Sequence, residues 1–247
     1  MPEDIEVNPK TGWGLKSITP ESATDLTTTQ KLERKILEGA PSTPRNISMY
    51  SKGLGFESKE QLIELIEGKR VADAGSGFDG FALDAILQGI DTTIIPINPA
   101  RENVGFVEDR RNAIEMWRDL YYSNYSSDAI DNALIKVDQN AVTAFAHDLS
   151  AIPNNEVDIV TDNLAVFHYS KPEFRDAYEQ SIKEMLRILK PGGKILIGDG
   201  SNMKAGVEPW YREIFDKLGL DYQYIEREIP VGETTVTQRY GIEITKH

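Results

Sequence analysis

The sequence predicts an α/β protein built on an open, mostly parallel, doubly wound sheet with helices on both faces. Three observations predict this class. From Lys69 onward, apolar strand-like runs alternate with helix-like runs, which is the pattern of parallel strands joined by helical crossovers. A glycine-rich turn, GSGFDG, directly follows the first strand. Gly232 separates the last two strand-like runs by a tight turn, so the terminal strand is expected to be antiparallel.

Seven segments have the apolar and β-branched composition of strands. They are residues 70–74, 92–97, 142–146, 157–162, 194–198, 222–227 and 235–245. The sequence therefore predicts a seven-stranded sheet whose reversed last strand lies at an edge.

Helices are expected between these strands, where apolar residues recur at helical spacing. The predicted helices are residues 81–88, 108–122, 128–137 and 209–218, and a longer one that ends at Leu189. Ser170 and Glu173 form a capping box at the start of that longer helix. Residues 101–141 make an unusually long connection, which we interpret as an insertion.

The amino-terminal part differs in composition from the rest of the chain. Residues 1–68 contain much of the Ser, Thr and Pro, with short helices predicted at 29–38 and 58–67, the second capped by Ser58. Such a segment cannot bury enough apolar surface to fold alone. We therefore expect residues 1–68 to be an N-terminal arm that forms a mobile lid, and residues 69–247 to be the main domain.

Composition excludes several classes of function. The 247 residues include 27 Lys and Arg against 40 Asp and Glu, a net charge of −13, which disfavours nucleic-acid binding. The absence of Cys excludes disulfides, thiolate nucleophiles and Cys-ligated metals. The segment MPEDIEVNPK lacks the features of a secretory signal, and no apolar run is as long as a membrane span. A soluble cytoplasmic protein without a membrane partner is expected.

The segment DAGSGFDG carries the clearest chemical signal. A strand that turns through Gly75 and Gly77 lets the backbone approach a ligand closely, and the next helix presents N–H groups at its start. The turn alone does not name the ligand. Dinucleotide enzymes place an acidic residue at the end of the second strand to bind ribose, where this chain has Asn98.

Three segments together resemble the class I S-adenosylmethionine-dependent methyltransferases. They are VADAGSGFDG, VDIVTDNLAVFHY and LRILKPGGKILIGDG, which fall between Arg70 and Gly200. The Leu-Lys-Pro-Gly-Gly turn before an apolar strand is the most specific of them, because dehydrogenases lack it. The resemblance implies a Rossmann-like seven-stranded sheet with an antiparallel last strand. It also implies S-adenosyl-L-methionine as the cofactor and S-adenosyl-L-homocysteine as its product.

The resemblance assigns the methionine part of the cofactor to the first glycine-rich turn. The residues implied there are Asp73, Gly75, Ser76 and Gly77. Asn98 stands where the family usually has an acidic residue that binds both ribose hydroxyls. A neutral amide loses the charge-assisted hydrogen bonds of a carboxylate, so Asn98→Asp is expected to tighten cofactor binding if the side chain faces the ribose.

Two further contact regions follow from the same resemblance. Asp148 and the N–H of Leu149 are the candidates for the adenine contact. Asp162 and Asn163 end the fourth strand and would form the floor where sulfonium and acceptor meet, because open α/β sheets bind ligands at that edge.

His168 is the candidate general base. It lies after the fourth strand, where many small-molecule methyltransferases carry a histidine, and its ordinary pKa suits proton transfer. The alternative interpretation is that His168 packs under this loop and orients it. Asp162 and Asp199 resemble part of the metal site of catechol-type methyltransferases, but Gly200 stands where that family has Asn, so no metal is expected.

The sequence thus predicts an S-adenosylmethionine-dependent methyltransferase that acts on a small-molecule acceptor by in-line methyl transfer. The Asn/Asp-Pro-Pro-aromatic motif of base and protein-amide methyltransferases is absent, since residues 162–167 read DNLAVF. Two alternatives stay open. One is a protein or RNA methyltransferase, and the other is a catalytically silent cofactor-binding domain that works through a partner, which Asn98 favours.

Overall fold

The structure is a computed structural model that describes residues 6–7, 14–15, 27–39, 45–163, 172–198, 209–231 and 234–247. Its strands are β1 (Glu6–Val7), β2 (Gly14–Leu15), β3 (Arg70–Ala74), β4 (Thr93–Ile97), β5 (Val157–Asn163), β6 (Leu189–Gly198), β7 (Tyr222–Val231) and β8 (Thr234–Thr245). Its helices are α1 (Thr28–Gly39), α2 (Ile47–Leu54), α3 (Lys59–Ile66), α4 (Gly80–Leu87), α5 (Val104–Leu120), α6 (Ser127–Asn140), α7 (Arg175–Ile188) and α8 (Pro209–Lys217).

The main sheet has six strands in the order β4-β3-β5-β6-β8-β7. Strands β4, β3, β5 and β6 are parallel to one another. Strand β8 is antiparallel to both of its neighbours, β6 and β7. The expectation of a mostly parallel sheet with an antiparallel last strand is confirmed, whereas the reversed strand lies inside the sheet and not at its edge.

The prediction of a seventh strand at 142–146 is wrong for the described residues. Val142 forms a single parallel bridge with Ile97, and only two backbone hydrogen bonds join it to the edge of β4, one to the Pro96 carbonyl and one from the Asn98 N–H. β4 ends directly after this bridge, and the Ala100 N–H donates to the Asn98 side chain instead of to another strand. Residues 143–146 therefore have no continuing strand edge to pair with.

Helices cover both faces of the sheet, because alternate strand residues belong to two separate buried clusters. Ala72 and Val160 belong to the cluster that includes α7 and α8. Val71 and Ile159 belong to the cluster that includes α2 to α6. This alternation is what a strand buried on both faces requires.

The part of the arm from Arg45 to Gly68 packs against the sheet, while the mobile lid stays a prediction. Ile47 and Leu54 of α2 and Leu62 and Ile66 of α3 are fully buried in the same cluster as Val71. The sequence predicted α3 with its Ser58 cap, which accepts a hydrogen bond from the Gln61 N–H. It missed α2, although Asn46 caps the start of that helix and Gly55, at φ +91°, caps its end.

Several other predictions are settled only in part. Helix α1 confirms the helix predicted at 29–38, and its Leu32 is buried against the α7 side of the sheet. The capping residue Ser170 and the turn at Gly232 lie outside the described residues. No helix in the described ranges combines the length and the apolar character that crossing a membrane requires.

Candidate functional site

The glycine-rich turn is held against the end of β4. Gly75 and Gly77 have φ values of +77° and +58°, a conformation that glycine adopts without strain. The Ile97 carbonyl accepts hydrogen bonds from the N–H groups of Gly75 and Ser76, at 2.9 and 3.1 Å. No backbone partner is present for the N–H groups of Gly77 and Phe78 within the described residues. These two groups are therefore the donors that the turn offers to a ligand.

Asp79 closes the turn and carries a charge that the sequence analysis did not single out. It is fully buried, lies at φ +63° and precedes α4. Its carboxylate accepts from the Ser76 hydroxyl at 2.8 Å and pairs with Arg101 at 2.5 Å and Arg110 at 2.9 Å. Both arginines also pair with Asp138 of α6. The insertion therefore supplies the cations that balance this buried carboxylate.

Asn98 is part of the same turn. Its amide Nδ2 donates to the Gly77 carbonyl at 2.9 Å, and its Oδ1 accepts from the Ala100 N–H at 2.9 Å. The side chain is buried, at 7 % exposure. The amide thus joins the end of β4 to the glycine-rich turn, and this bond needs a donor that an aspartate lacks. A ribose contact by Asn98 stays a prediction.

The Asp73 carboxylate is buried within the sheet and accepts hydrogen bonds from two neighbouring hydroxyl groups. The side chain is 1 % exposed. The Tyr50 hydroxyl lies 2.7 Å and 2.9 Å from its two oxygens, and the Thr161 hydroxyl donates to Oδ1 at 2.8 Å. Burial raises the pKa of Asp73 from 3.8 to about 7, although the hydrogen bonds from Tyr50 and Thr161 oppose this rise.

Helix α2 lies across the carboxyl ends of β5 and β6, where no helix was predicted. Gly53 makes this approach possible, because a Cβ on it would lie 2.3 Å from Asn163 Oδ1. A Cβ on Gly198 would lie 2.6 Å from the Gly53 carbonyl oxygen. Arg45, just before α2, donates to the Asn163 carbonyl. The sheet edge that binds ligands in this class of fold is therefore covered by α2.

Asn163 has a buried side-chain amide whose hydrogen-bonding capacity is unused by the described residues. It is 1 % exposed, and among those residues neither its Oδ1 nor its Nδ2 has a hydrogen-bond partner. Leaving a buried polar group in this state costs about 1–3 kcal/mol. Asp162 beside it is fully buried. An unsatisfied amide at the carboxyl edge suits a group that receives its partner from a bound ligand.

The predicted adenine loop is anchored mainly to α7. Asp148 is exposed, and its Oδ1 accepts from the Ser150 N–H at 3.3 Å. Hydrogen bonds from the Ser150 side chain and from its N–H lower the pKa of Asp148. The N–H of Leu149 donates to Glu184 at 3.0 Å, and Arg187 binds the Leu149 carbonyl at 2.7 Å. An adenine contact by Leu149 would need this N–H to exchange its carboxylate partner. Both contacts stay predictions.

His168 and Asp199 lie outside the described residues. The base role of His168 therefore stays a prediction, and so does the expectation that no metal binds at Asp199. Among the residues that the structure describes, no three His, Asp or Glu side chains are grouped so that they would hold a metal ion.

The comparisons with known proteins bear directly on the glycine-rich turn and the strands around it. A family model described as "Methyltransferase domain" matches residues 73–197, about half of the chain. The match begins at Asp73 and ends within β6, so it contains the turn, Asn98 and Asn163. The chain belongs to the methyltransferase domain family. It is a class I S-adenosylmethionine-dependent methyltransferase, as its sequence motifs indicated.

Several solved structures are similar to this methyltransferase. A proposed S-adenosyl-L-methionine-dependent methyltransferase of Methanococcus maripaludis is 17% identical, with a TM-score of 0.47, and the match covers 89% of this chain and 93% of that one. The precorrin-6y C5,15-methyltransferase of Geobacter metallireducens is 16% identical, with a TM-score of 0.44 and coverages of 81% and 88%. A proposed O-methyltransferase of Nostoc punctiforme is 15% identical, with a TM-score of 0.45 and coverages of 75% and 54%. The methyltransferase thus spans about half of the Nostoc protein. No curated protein matches it.

The residues at the carboxyl edge fit S-adenosylmethionine. The N–H groups of Gly77 and Phe78 are available at the turn, and Asp73 supplies a carboxyl group at the end of β3. The unsatisfied amide of Asn163 lies at the end of the adjacent strand β5. This methyltransferase therefore places donors, an acceptor and a negative charge around one edge, as a zwitterionic amino-acid moiety requires.

Proposed function

We propose that this methyltransferase acts on a small-molecule acceptor. The observation that carries the proposal is the position of α2, which covers the carboxyl ends of β5 and β6 through Gly53. A covered edge suits an acceptor that enters the site whole, whereas a long polymer needs an open groove. The net charge of −13 supports the same choice, because it repels nucleic acids.

Methyl transfer requires the protein mainly to bind and align the two reactants. When bound, S-adenosylmethionine would supply an electrophilic sulfonium methyl group for in-line transfer to the acceptor, with S-adenosylhomocysteine as the leaving group. The chain contributes by orienting the two reactants and by excluding water from them. The turn at Gly77 and the carboxylate of Asp73 would hold the methionine part, and Asn163 would hydrogen-bond at the reacting end. His168 would serve as a base only where the acceptor keeps its proton.

Transfer of a labelled methyl group tests this proposal. The protein is incubated with methyl-labelled S-adenosylmethionine and an extract of native cells, and the products are divided into an ultrafiltrate and a retained macromolecular fraction. We expect the label in an ultrafiltrate compound that separates chromatographically from S-adenosylmethionine, and no such product with the Gly75→Val variant. Label that stays with macromolecules and is released by protease or by nuclease would overturn the proposal in favour of a protein or RNA acceptor.

A further inference from the structure

Tyr50 of α2 makes a contact that the family assignment does not explain. It lies outside the matched residues 73–197, yet its hydroxyl lies within hydrogen-bond distance of both oxygens of Asp73, at 2.7 and 2.9 Å. Its ring stacks on Phe81 of α4, with ring centres 4.2 Å apart and an angle of 12° between the planes. Tyr50 is fully buried. The hydroxyl is therefore fixed in place by the packing of its own ring.

The Tyr50 hydroxyl acts on the ionisation of Asp73. Phenols have an ordinary pKa near 10, and burial and the neighbouring Asp73 raise the pKa of Tyr50 well above that. Tyr50 thus stays protonated and can only donate to the carboxylate. A hydrogen bond donated to a carboxylate stabilises its ionised form. Without Tyr50, the Thr161 hydroxyl would be the one remaining side-chain donor to Asp73 among the described residues.

We propose that Tyr50 is a positioning residue that keeps Asp73 charged and oriented at the glycine-rich turn, so that α2 becomes part of the S-adenosylmethionine site. The inference rests on the assignment of the cofactor to this edge of the sheet. Asp73 then presents a negative charge to the cationic ammonium group of the cofactor's methionine part. The packing of α2 and the affinity for the cofactor are coupled through one hydroxyl group.

Two charged groups act on Asp73, one from the residues before α2 and one from the glycine-rich turn. Arg45, before α2, lowers the pKa of Asp73, and Asp79, in the glycine-rich turn, raises it. Tyr50 and Thr161 lower it by hydrogen bonding, while burial raises it most and leaves it at about 7. Removing the Tyr50 hydroxyl therefore moves the ionisation of Asp73 to a higher pH. A change in packing alone would weaken binding equally at every pH.

The test is the affinity for S-adenosylhomocysteine, measured by calorimetry between pH 6 and pH 9 for the wild type and Tyr50→Phe. If the pKa of Asp73 rises by about one unit, we expect affinity to fall about fivefold at pH 7 and to recover to within about twofold at pH 9. Thr161→Val should shift the profile in the same direction by less, since it removes one contact and not two. Asp73→Asn should bind S-adenosylhomocysteine progressively more weakly, relative to the wild type, as pH rises.

Tyr122→Phe is the matched control. The Tyr122 hydroxyl is buried but has no hydrogen-bond partner in the described part of the chain, so its removal should leave the pH profile unchanged. A Tyr50→Phe profile that runs parallel to the wild type would overturn the inference and leave a packing role for Tyr50. Failure of the wild type to bind S-adenosylhomocysteine at any pH would instead overturn the assignment of the cofactor site.

Discussion

Replacing Asp73 by asparagine should change how the stability of the protein depends on pH. The Asp73 carboxyl is 1 % exposed, and burial raises its pKa from 3.8 to about 7. Asparagine keeps an oxygen that accepts from Tyr50 and Thr161, but it carries no titrating proton. The variant therefore removes the titration while it preserves the hydrogen bonds.

The sign and size of the effect follow from linkage. The folded chain holds a proton on Asp73 up to about pH 7, whereas the unfolded chain releases it near 3.8. The contribution to stability is therefore present below pH 4 and is lost as pH rises to 7. Each tenfold difference in proton affinity is worth about 1.4 kcal/mol, so the loss between pH 5 and pH 8 is about 3 kcal/mol.

Urea unfolding at a series of pH values measures this loss. The free energy of unfolding of the wild type minus that of Asp73→Asn should fall by about 3 kcal/mol from pH 5 to pH 8. Other titrating groups are common to both proteins and cancel in this difference. Tyr122→Phe removes a buried hydroxyl that no described residue hydrogen-bonds, and it should show a constant difference from wild type. A constant difference for Asp73→Asn as well would refute the reasoning.

Three further variants test other parts of the account. Gly53→Ala places a Cβ 2.3 Å from Asn163 Oδ1, so urea unfolding should show a loss of about 1–3 kcal/mol, while exposed Lys52→Ala should show almost none. Asn98→Asp cannot donate to the Gly77 carbonyl, so calorimetry should show about tenfold weaker binding of S-adenosylhomocysteine, or about 1.4 kcal/mol; tighter binding would restore the sequence-based expectation. Arg187→Ala removes hydrogen bonds to the Leu149 and Ile152 carbonyls and should lower the free energy of unfolding by about 1–3 kcal/mol. Arg175→Ala, which breaks an exposed ion pair with Glu213, is its control. Equal losses for the two variants would contradict a role of Arg187 in anchoring this loop.

The sequence was most informative where a feature depends on neighbouring residues. Strand β3, at Arg70–Ala74, has the predicted bounds, because an apolar run bounded by Gly residues is a local pattern. Gly75 and Gly77 form the predicted turn, at φ values of +77° and +58°. The family could also be recognised from the sequence, since its motifs are short and lie within or beside single strands.

Features that depend on distant residues were beyond the sequence. Tyr50 meets Asp73 from a helix 23 positions earlier, and nothing in the ISMYSKGL segment marks that partner. The cations of Asp79 come from Arg101 and Arg110 in the insertion, which pattern analysis treats as ordinary surface charges. The place of β8 between β6 and β7 is likewise a choice among pairings of similar local pattern.

The buried α2 had local signals that went unused. Asn46 and Gly55 mark the two ends of α2, within a segment whose Ser and Pro content suggested an arm. A composition rich in small polar residues therefore concealed a helix whose Gly53 allows close packing.

The central claim is that the turn at Gly75 and Gly77 binds the cofactor, and calorimetric titration of S-adenosylhomocysteine tests it most directly. The wild type should bind one molecule per chain, whereas Gly75→Val should bind none. The valine side chain would strain a turn at φ +77° and would occupy the space assigned to the methionine part of the cofactor. Gly89→Val is the matched control, since Gly89 also has a positive φ, +68°, but follows α4 with no atom of the described residues within 4 Å of its Cβ position. That control should bind like the wild type. Equal affinity of the wild type and Gly75→Val, or no binding by the wild type, would contradict the account.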